Sequence, residues 1–432
     1  MQKILRPLHT VVMLVLGLCL LPIVIIFNFV SIKRFASSLF SGLDFISLNE
    51  ESQRKRLAFK QLSTTPSLET HKAIRDEVKV LIEADSWLRL SDMILEWDQS
   101  RAKCEAGFPK ASSAVSAVIH LVSRGAYEGH ACHPDPIYDI SDDVAEMLET
   151  KAATHSGSYP LLVLAALARC YQGWCARGED YAEYVSEDGW FGMSARFAKA
   201  QWLLDRFDPT AMNAPILAAA RYKLLAFMPD SDKHVYRYYE EWSALDPKDQ
   251  APHTAHGLMM LPRWFGGEGT LEVEAQKAAQ RTANYTGDAA YFSIYARAFR
   301  EWDPHVLLLD FNAFRQGAHD LTALRGRDPS FVAQLYQDMI FWAPESDRDR
   351  PTPRQKTRAE EIESQLKDLR NEILQTSLTA IHGRSWEGGV RGAIDEISAL
   401  VQDHIKEGNA TFALTDNGLV ITLPETALQH AT

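Results

Sequence analysis

Residues 207–247 read FDPTAMNAPILAAARYKLLAFMPDSDKHVYRYYEEWSALDP, and both ends of this stretch carry the same punctuation. Phe207-Asp208-Pro209 and Leu245-Asp246-Pro247 each follow a helical pattern, and Trp302-Asp303-Pro304 repeats it further on. Proline cannot continue a helix, and an aspartate before it favours a turn, so the three sites mark helix ends. Outward from this stretch the helical period persists. Trp87, Leu90, Ile94 and Trp97 fall on one helix face, as do Val115, Val118, Ile119 and Val122. Ser141 before Asp142 and Asp143 reads as an N-cap with acids in the first turn, and Val144, Met147 and Leu148 supply that helix's apolar stripe. Between residues 61 and 343 no convincing alternating strand stands out, so this region reads as all-α.

The punctuation recurs after 38 and then 57 residues, against about 34 for a tetratricopeptide repeat. The first interval fits a helix pair with a long loop, and the second requires an insertion or an extra helix. Leu204 and Trp242 stand where that repeat's second helix usually has alanine. The expectation is an irregular solenoid of stacked helix pairs rather than a regular array.

From Val11 to Val30 the chain is apolar except at Asn28. Twenty residues at ~1.5 Å each span ~30 Å, the thickness of a hydrocarbon core, and membrane helices accept a kink such as Pro22 would bring. A cleaved signal peptide would have a shorter run with small residues before the cut, and a lipoprotein would have a small residue before Cys19, where Leu18 stands. The segment reads as an uncleaved single-pass anchor in a bacterial inner membrane. Lys3 and Arg6 precede it and Lys33 and Arg34 follow it, so charge discriminates weakly; the short basic tail favours an inside N-terminus and a periplasmic body. After it, Phe35, Leu39, Leu43 and Ile46 recur at helical spacing, suiting either the membrane interface or packing on the body.

The expected organisation is a tail (1–10), the transmembrane helix (11–30), an amphipathic segment (31–60) and a helical-repeat domain (61–343). A linker (344–354), charged helices (355–408) and a β-hairpin with tail (409–432) complete it. The linker rests on PESDRDRPTPR, and Ile362, Leu366, Leu369 and Ile373 give the following helix an a/d-like seam under two heptads long. That seam suits packing within the body or self-association. The hairpin rests on two apolar runs flanking Thr415-Asp416-Asn417-Gly418. A lone hairpin is marginal in water, so it packs on helices or pairs with another strand.

The 432 residues carry 45 Lys+Arg against 57 Asp+Glu, a net charge of −12 that excludes nucleic acid as the main partner. No phosphate loop, dinucleotide fingerprint, kinase or GxSxG motif appears, and no cofactor is expected. Cys104, Cys132, Cys170 and Cys175 form the even set a disulfide framework would show in an exported body, with three full pairings open. Cys170 and Cys175 sit on different sides of a continuous helix, so joining them would require the helix to break, for instance at Gly173. His130, Cys132 and His133 are the densest group of metal-ligand types, with Cys104 as a further sulfur, but no second ligand pair accompanies them. His253 and His256 fall on one helix face without the glutamate of a zincin motif and read as surface or packing. Glu187 and Asp188 beside Trp190 resemble the paired carboxylates of glycosidases, though acids at a helix start are also ordinary. The glycine-rich Trp264-Phe265-Gly266-Gly267 follows no strand and reads as a turn that lets helices approach closely.

Two landmarks resemble a bacterial family of membrane-anchored proteins with tetratricopeptide-like helices and no assigned activity. One is Ala166-Leu167-Ala168 with Tyr171, Trp174, Arg177 and Gly178; the other is Leu261 to Gly267, with Pro262, Arg263, Trp264, Gly266 and Gly267. The likeness covers residues 85–300 and implies the fold without a catalytic residue. The functional expectation is a non-catalytic, protein-binding scaffold or assembly factor of the cell envelope, using a solenoid's extended concave surface. The other reading is an all-α enzyme acting on glycan or peptidoglycan through Glu187 and Asp188.

Overall fold

The computed structural model describes residues 57–58, 61–127, 137–178, 182–299, 304–340, 351–386, 392–394, 396–397, 411–415 and 418–422. The apolar run Val11–Val30, the juxtamembrane segment except Leu57 and Ala58, and most of the charged linker lie outside them. Among the described residues no helix is long and apolar enough to cross a membrane.

The chain divides into two compact units. The smaller comprises residues 1–59, 397–414 and 420–432. In it, β1 (Leu57–Ala58) runs parallel to β6 (Thr411–Thr415), with Leu57 opposite Phe412. On the other side β6 neighbours β7 (Gly418–Thr422), which gives the expected hairpin a third strand from its own chain.

Among its described residues the larger unit, residues 60–396 and 415–419, is helical apart from two-residue strand pairs and the ends of β6 and β7. Its helices are α1 (Pro66–Glu83), α2 (Trp87–Ser100), α3 (Lys110–Val122), α4 (Asp142–Thr154) and α5 (Tyr159–Arg177). Then come α6 (Glu187–Leu204), α7 (Pro215–Leu224), α8 (Ser231–Leu245), α9 (Ala251–Met259) and α10 (Thr270–Thr286). The last are α11 (Ala289–Ala298), α12 (Phe311–Arg325), α13 (Pro329–Asp338) and α14 (Pro353–Ser377). The strand pairs are β3 (Ala126–Tyr127) with β4 (Ile137–Tyr138), and β2 (Gln61–Leu62) with β5 (Ile381–His382).

Two kinds of helix alternate through the middle of the array. In α5 every residue from Tyr159 to Ala168 is buried, and in α11 only Arg297 escapes burial between Ala289 and Ala298. Such helices have no face for solvent and must lie inside. α10 instead buries one stripe, including Leu271, Ala275, Ala278 and Thr282, and shows water the rest. Prolines at the first or second position start α5, α7, α9 and α13, where the missing N–H costs nothing. From α7 onward the inner helices begin at residues 215, 251, 289 and 329, in steps of 36, 38 and 40. Three helices, α9 to α11, occupy the interval between Pro247 and Pro304, which accounts for its length.

Other expectations meet the structure directly. Ser141 caps α4 by accepting from the Val144 amide, but the buried stripe of α4 is Ala145, Leu148 and Ala152, with Val144 and Met147 only half-buried. α14 starts at Pro353 behind a Thr352–Gln355 capping box, two residues before the expected boundary. Ile362, Leu366, Leu369 and Ile373 are fully buried as α14 packs on α12 and α13, so this seam is spent within the unit. α14 belongs to the same compact unit as the helices before it, and residues 344–350 of the expected linker lie outside the described residues.

The first and last parts of the array meet. Thr65, the N-cap of α1, lies 2.8 Å from the Ser330 hydroxyl. The Ser67 amide and hydroxyl both donate to Asp328, the N-cap of α13, at 3.1 and 3.0 Å. Asp98, buried on α2, accepts from the Tyr159 hydroxyl and the Ile216 amide, tying α2 to the starts of α5 and α7. Burial pushes its carboxyl up to about 6.

Candidate functional site

The inner helices leave a chamber of about 670 Å³ between them. Each wall is one helix face, visible as pairs four residues apart: Ser112 and Ser116 on α3, Ala251 and Ala255 on α9, Phe331 and Leu335 on α13. Ser112, Ser116, Ala251 and Ala255 are small and leave space between the walls. Aromatic rings supply much of the remaining lining, among them Trp174 of α5, Trp242 of α8 and Phe292 of α11. A smaller cavity of about 320 Å³ shares Ser116, Tyr171 and Lys223 with it.

Charge enters this apolar lining from different helices. Lys223, Arg297 and Arg325 line the chamber, against the carboxylates Asp249 and Asp338. The Arg325 guanidinium lies 4.7 Å from the Phe108 ring centre and 5.6 Å from that of Phe331. Burial pulls its pKa down, and Asp249 and Asp338 oppose that pull. Asp249, itself buried, accepts from the Ala251 amide at the start of α9, and burial pushes its carboxyl up. His71, also in the lining, is pulled down by burial against the attraction of Asp328 and Glu105. The Trp264 indole N–H is buried without a protein partner.

His253 and His256 of α9 are not surface residues; both have no exposed area. The His256 ring stacks on Tyr239, with centroids 3.8 Å apart and planes at 4°. The Tyr222 hydroxyl lies 2.8 Å from His256 Nδ1, and His256 Nε2 lies 3.3 Å from Glu274, which also accepts from Lys277. A neutral His256 that accepts from Tyr222 and donates to Glu274 satisfies every partner. His253 Nδ1 pairs with the Tyr239 hydroxyl at 2.8 Å, leaving its Nε2 buried and unpartnered. Burial, with His256 and Arg281 adding to it, pushes His253 down to about 3. Burial also lowers His256, against the pull of Glu274. For Glu274 burial raises the pKa, but hydrogen bonds from His256 and Lys277 hold it below the usual range. These groups join α7, α8, α9 and α10 as a polar core.

Glu187 and Asp188 occupy the exposed first turn of α6, behind Ser186, which accepts from the Gly189 amide. Neither lines the chamber. Trp190 stacks on Phe227 at 5.5 Å, and Arg177 lies over both Trp190 and Trp174. Gly178 ends α5 at φ 80°. Further along α6, Phe191 and Trp202 are 76% and 59% exposed. With exposed Ala195 and Ala198 they share one face, since steps of 4, 3 and 4 repeat the helical period. Lys199 sits 4.7 Å over the Trp202 ring. This apolar ridge follows from GWFGMSARFAKAQW, whose period the sequence displays.

The turn from Pro262 to Gly267 follows α9 and carries Trp264 to the chamber wall, with Pro262 and Arg263 exposed. Its shape depends on Gly266, where a Cβ would run into the Met260 carbonyl. Cys104, Cys170 and Cys175 are free thiols. α5 runs unbroken through Gly173, so Cys170 and Cys175 point apart and the pairing between them is not made. His130, Cys132 and His133 lie outside the described residues. Among the described residues no group of three or more His, Cys, Asp or Glu is placed to hold a metal ion.

The fold and its chamber define an all-α helical array. The chain matches no family model, and no curated protein or solved structure matches it.

Proposed function

We infer that this is a single-pass, membrane-anchored protein of the bacterial envelope that binds a protein partner as a scaffold or assembly factor. The apolar run Val11–Val30 supports the anchor, and the basic tail at Lys3 and Arg6 supports a periplasmic body. Inner helices recurring at 36, 38 and 40 residues support a tetratricopeptide-like helix-pair solenoid. The resemblance carried by Trp174, Arg177, Gly178 and the Pro262–Gly267 turn points the same way.

The observation that carries the binding role is the α6 ridge. A Phe and a Trp left bare on one helix face, with only alanines between them and charged groups beside them, mark an interaction surface. The glycan-enzyme reading has less support, because Glu187 and Asp188 face solvent at a helix start and neither lines the chamber.

The test is photocrosslinking in intact cells, with a photoreactive phenylalanine analogue at Ala195, at Ala198 or, as control, at exposed Lys367. The expected result is one discrete protein adduct shared by positions 195 and 198 and absent at 367. It disappears when Phe191 and Trp202 are both changed to Ser. Adducts with lipid alone, or equal adducts at 367, would overturn the reading.

A further inference from the structure

We propose that the chamber between the inner helices binds a single-chain anionic amphiphile, a long-chain carboxylate. It includes no residue of α6, so the proposal does not rest on the partner-binding ridge. At about 670 Å³ the chamber falls within the roughly 300–1,000 Å³ of small-ligand sites, and like them it has mostly apolar walls with a few fixed polar groups.

Charge sets the sign of the ligand. In a chain of net charge −12, three permanent cations from α7, α11 and α12 face one cavity against two carboxylates. Burial pushes one of those carboxyls, Asp249, toward its neutral form. The unpartnered Trp264 N–H adds a donor at the wall that an anionic oxygen would satisfy. Alkyl length suits the rest of the lining, where Leu167, Leu258, Phe292 and Leu335 offer no hydrogen bond. His71 of α1 and Phe331 of α13 both line the cavity, and the caps of these two helices are hydrogen-bonded to each other, which holds this wall in place.

The test uses the full chain in nanodiscs and a diazirine-bearing dodecanoate, with the labelled peptides mapped by mass spectrometry. The expected adducts fall on α5, α9 and α11, and dodecanoate competes at least tenfold better than dodecanol. Lys223→Gln reduces labelling by about tenfold without changing the melting temperature, and Ala219→Trp, which fills the wall shared by both cavities, abolishes it. Three outcomes would overturn the proposal: labelling confined to residues 11–30, equal competition by dodecanol, or stronger displacement by an acidic, leucine-rich peptide. Because Lys223 is exposed, its variant keeps the test informative even where the tryptophan variant fails to fold.

Discussion

His253 sits in α9 with one ring nitrogen bonded to Tyr239 and the other buried alone, and this fixes how the protein responds to acid. Its folded pKa is depressed to about 3 while an unfolded imidazole takes a proton near 6.5. Below 6.5 the unfolded chain therefore binds the extra proton, so stability falls as pH drops through the window from 6.5 toward 3. The slope is up to about 1.4 kcal/mol per pH unit, large beside a total of about 5–15 kcal/mol. The lowered His256 and Glu274 act in the same direction, Glu274 at lower pH. Asp98 opposes them, because its raised pKa gives stability that is lost as pH rises from 3.8 through about 6. Comparing variants removes that opposing contribution. His253→Gln should lose stability less steeply than the parent between pH 6 and 4, by about 1 kcal/mol per unit in urea unfolding. Parallel slopes would contradict the buried neutral imidazole.

At the scale of elements, the crossing of α9 and α11 decides the sign of one substitution. Gly→Ala on an exposed helix gains up to about 1 kcal/mol. At Gly257 the new Cβ would enter the Ile294 carbonyl, and overpacking of that kind costs about 1–3 kcal/mol or more. Gly257→Ala should therefore lower the melting temperature by about 2 °C or more, whereas Gly267→Ala, where the nearest atom is 3.7 Å away, should leave it unchanged. A rise for Gly257→Ala would remove the close crossing. Much of this level was legible in the sequence. The Asp-Pro punctuation at Asp208-Pro209 and Asp246-Pro247 follows real helix ends, Trp302 and Asp303 lie outside the described residues, and Ser141 is the cap its sequence announces. The start of α11 was missed because Gly287-Asp288 marks it without proline. For His253 and His256, which the sequence leaves open between surface and packing, the structure selects packing. Their partners Tyr222, Tyr239 and Glu274 come from three other helices, and spacing along α9 carries no trace of them.

At the scale of the molecule, the chamber depends on residues far apart in the chain. Ser67 and Asp328 are 261 residues apart, and no local pattern announces their hydrogen bonds. The faint signal is compositional: Ser112, Ser116, Ala219 and Ala255 are small residues on faces where a solid core would place larger ones. The spacing of Phe191, Ala195, Ala198 and Trp202 is legible in the sequence, but their exposure is not, because it depends on which face of α6 the other helices cover. At the chamber wall α1 and α13 meet through their caps. A Thr65→Cys, Ser330→Cys pair tests this contact most directly, because the two hydroxyls are 2.8 Å apart. Under mild oxidant the full chain should form this crosslink rapidly, seen as one bridged peptide, without loss of melting temperature. If both cysteines react with maleimide yet never bridge, the caps do not meet and the chamber wall does not exist as described.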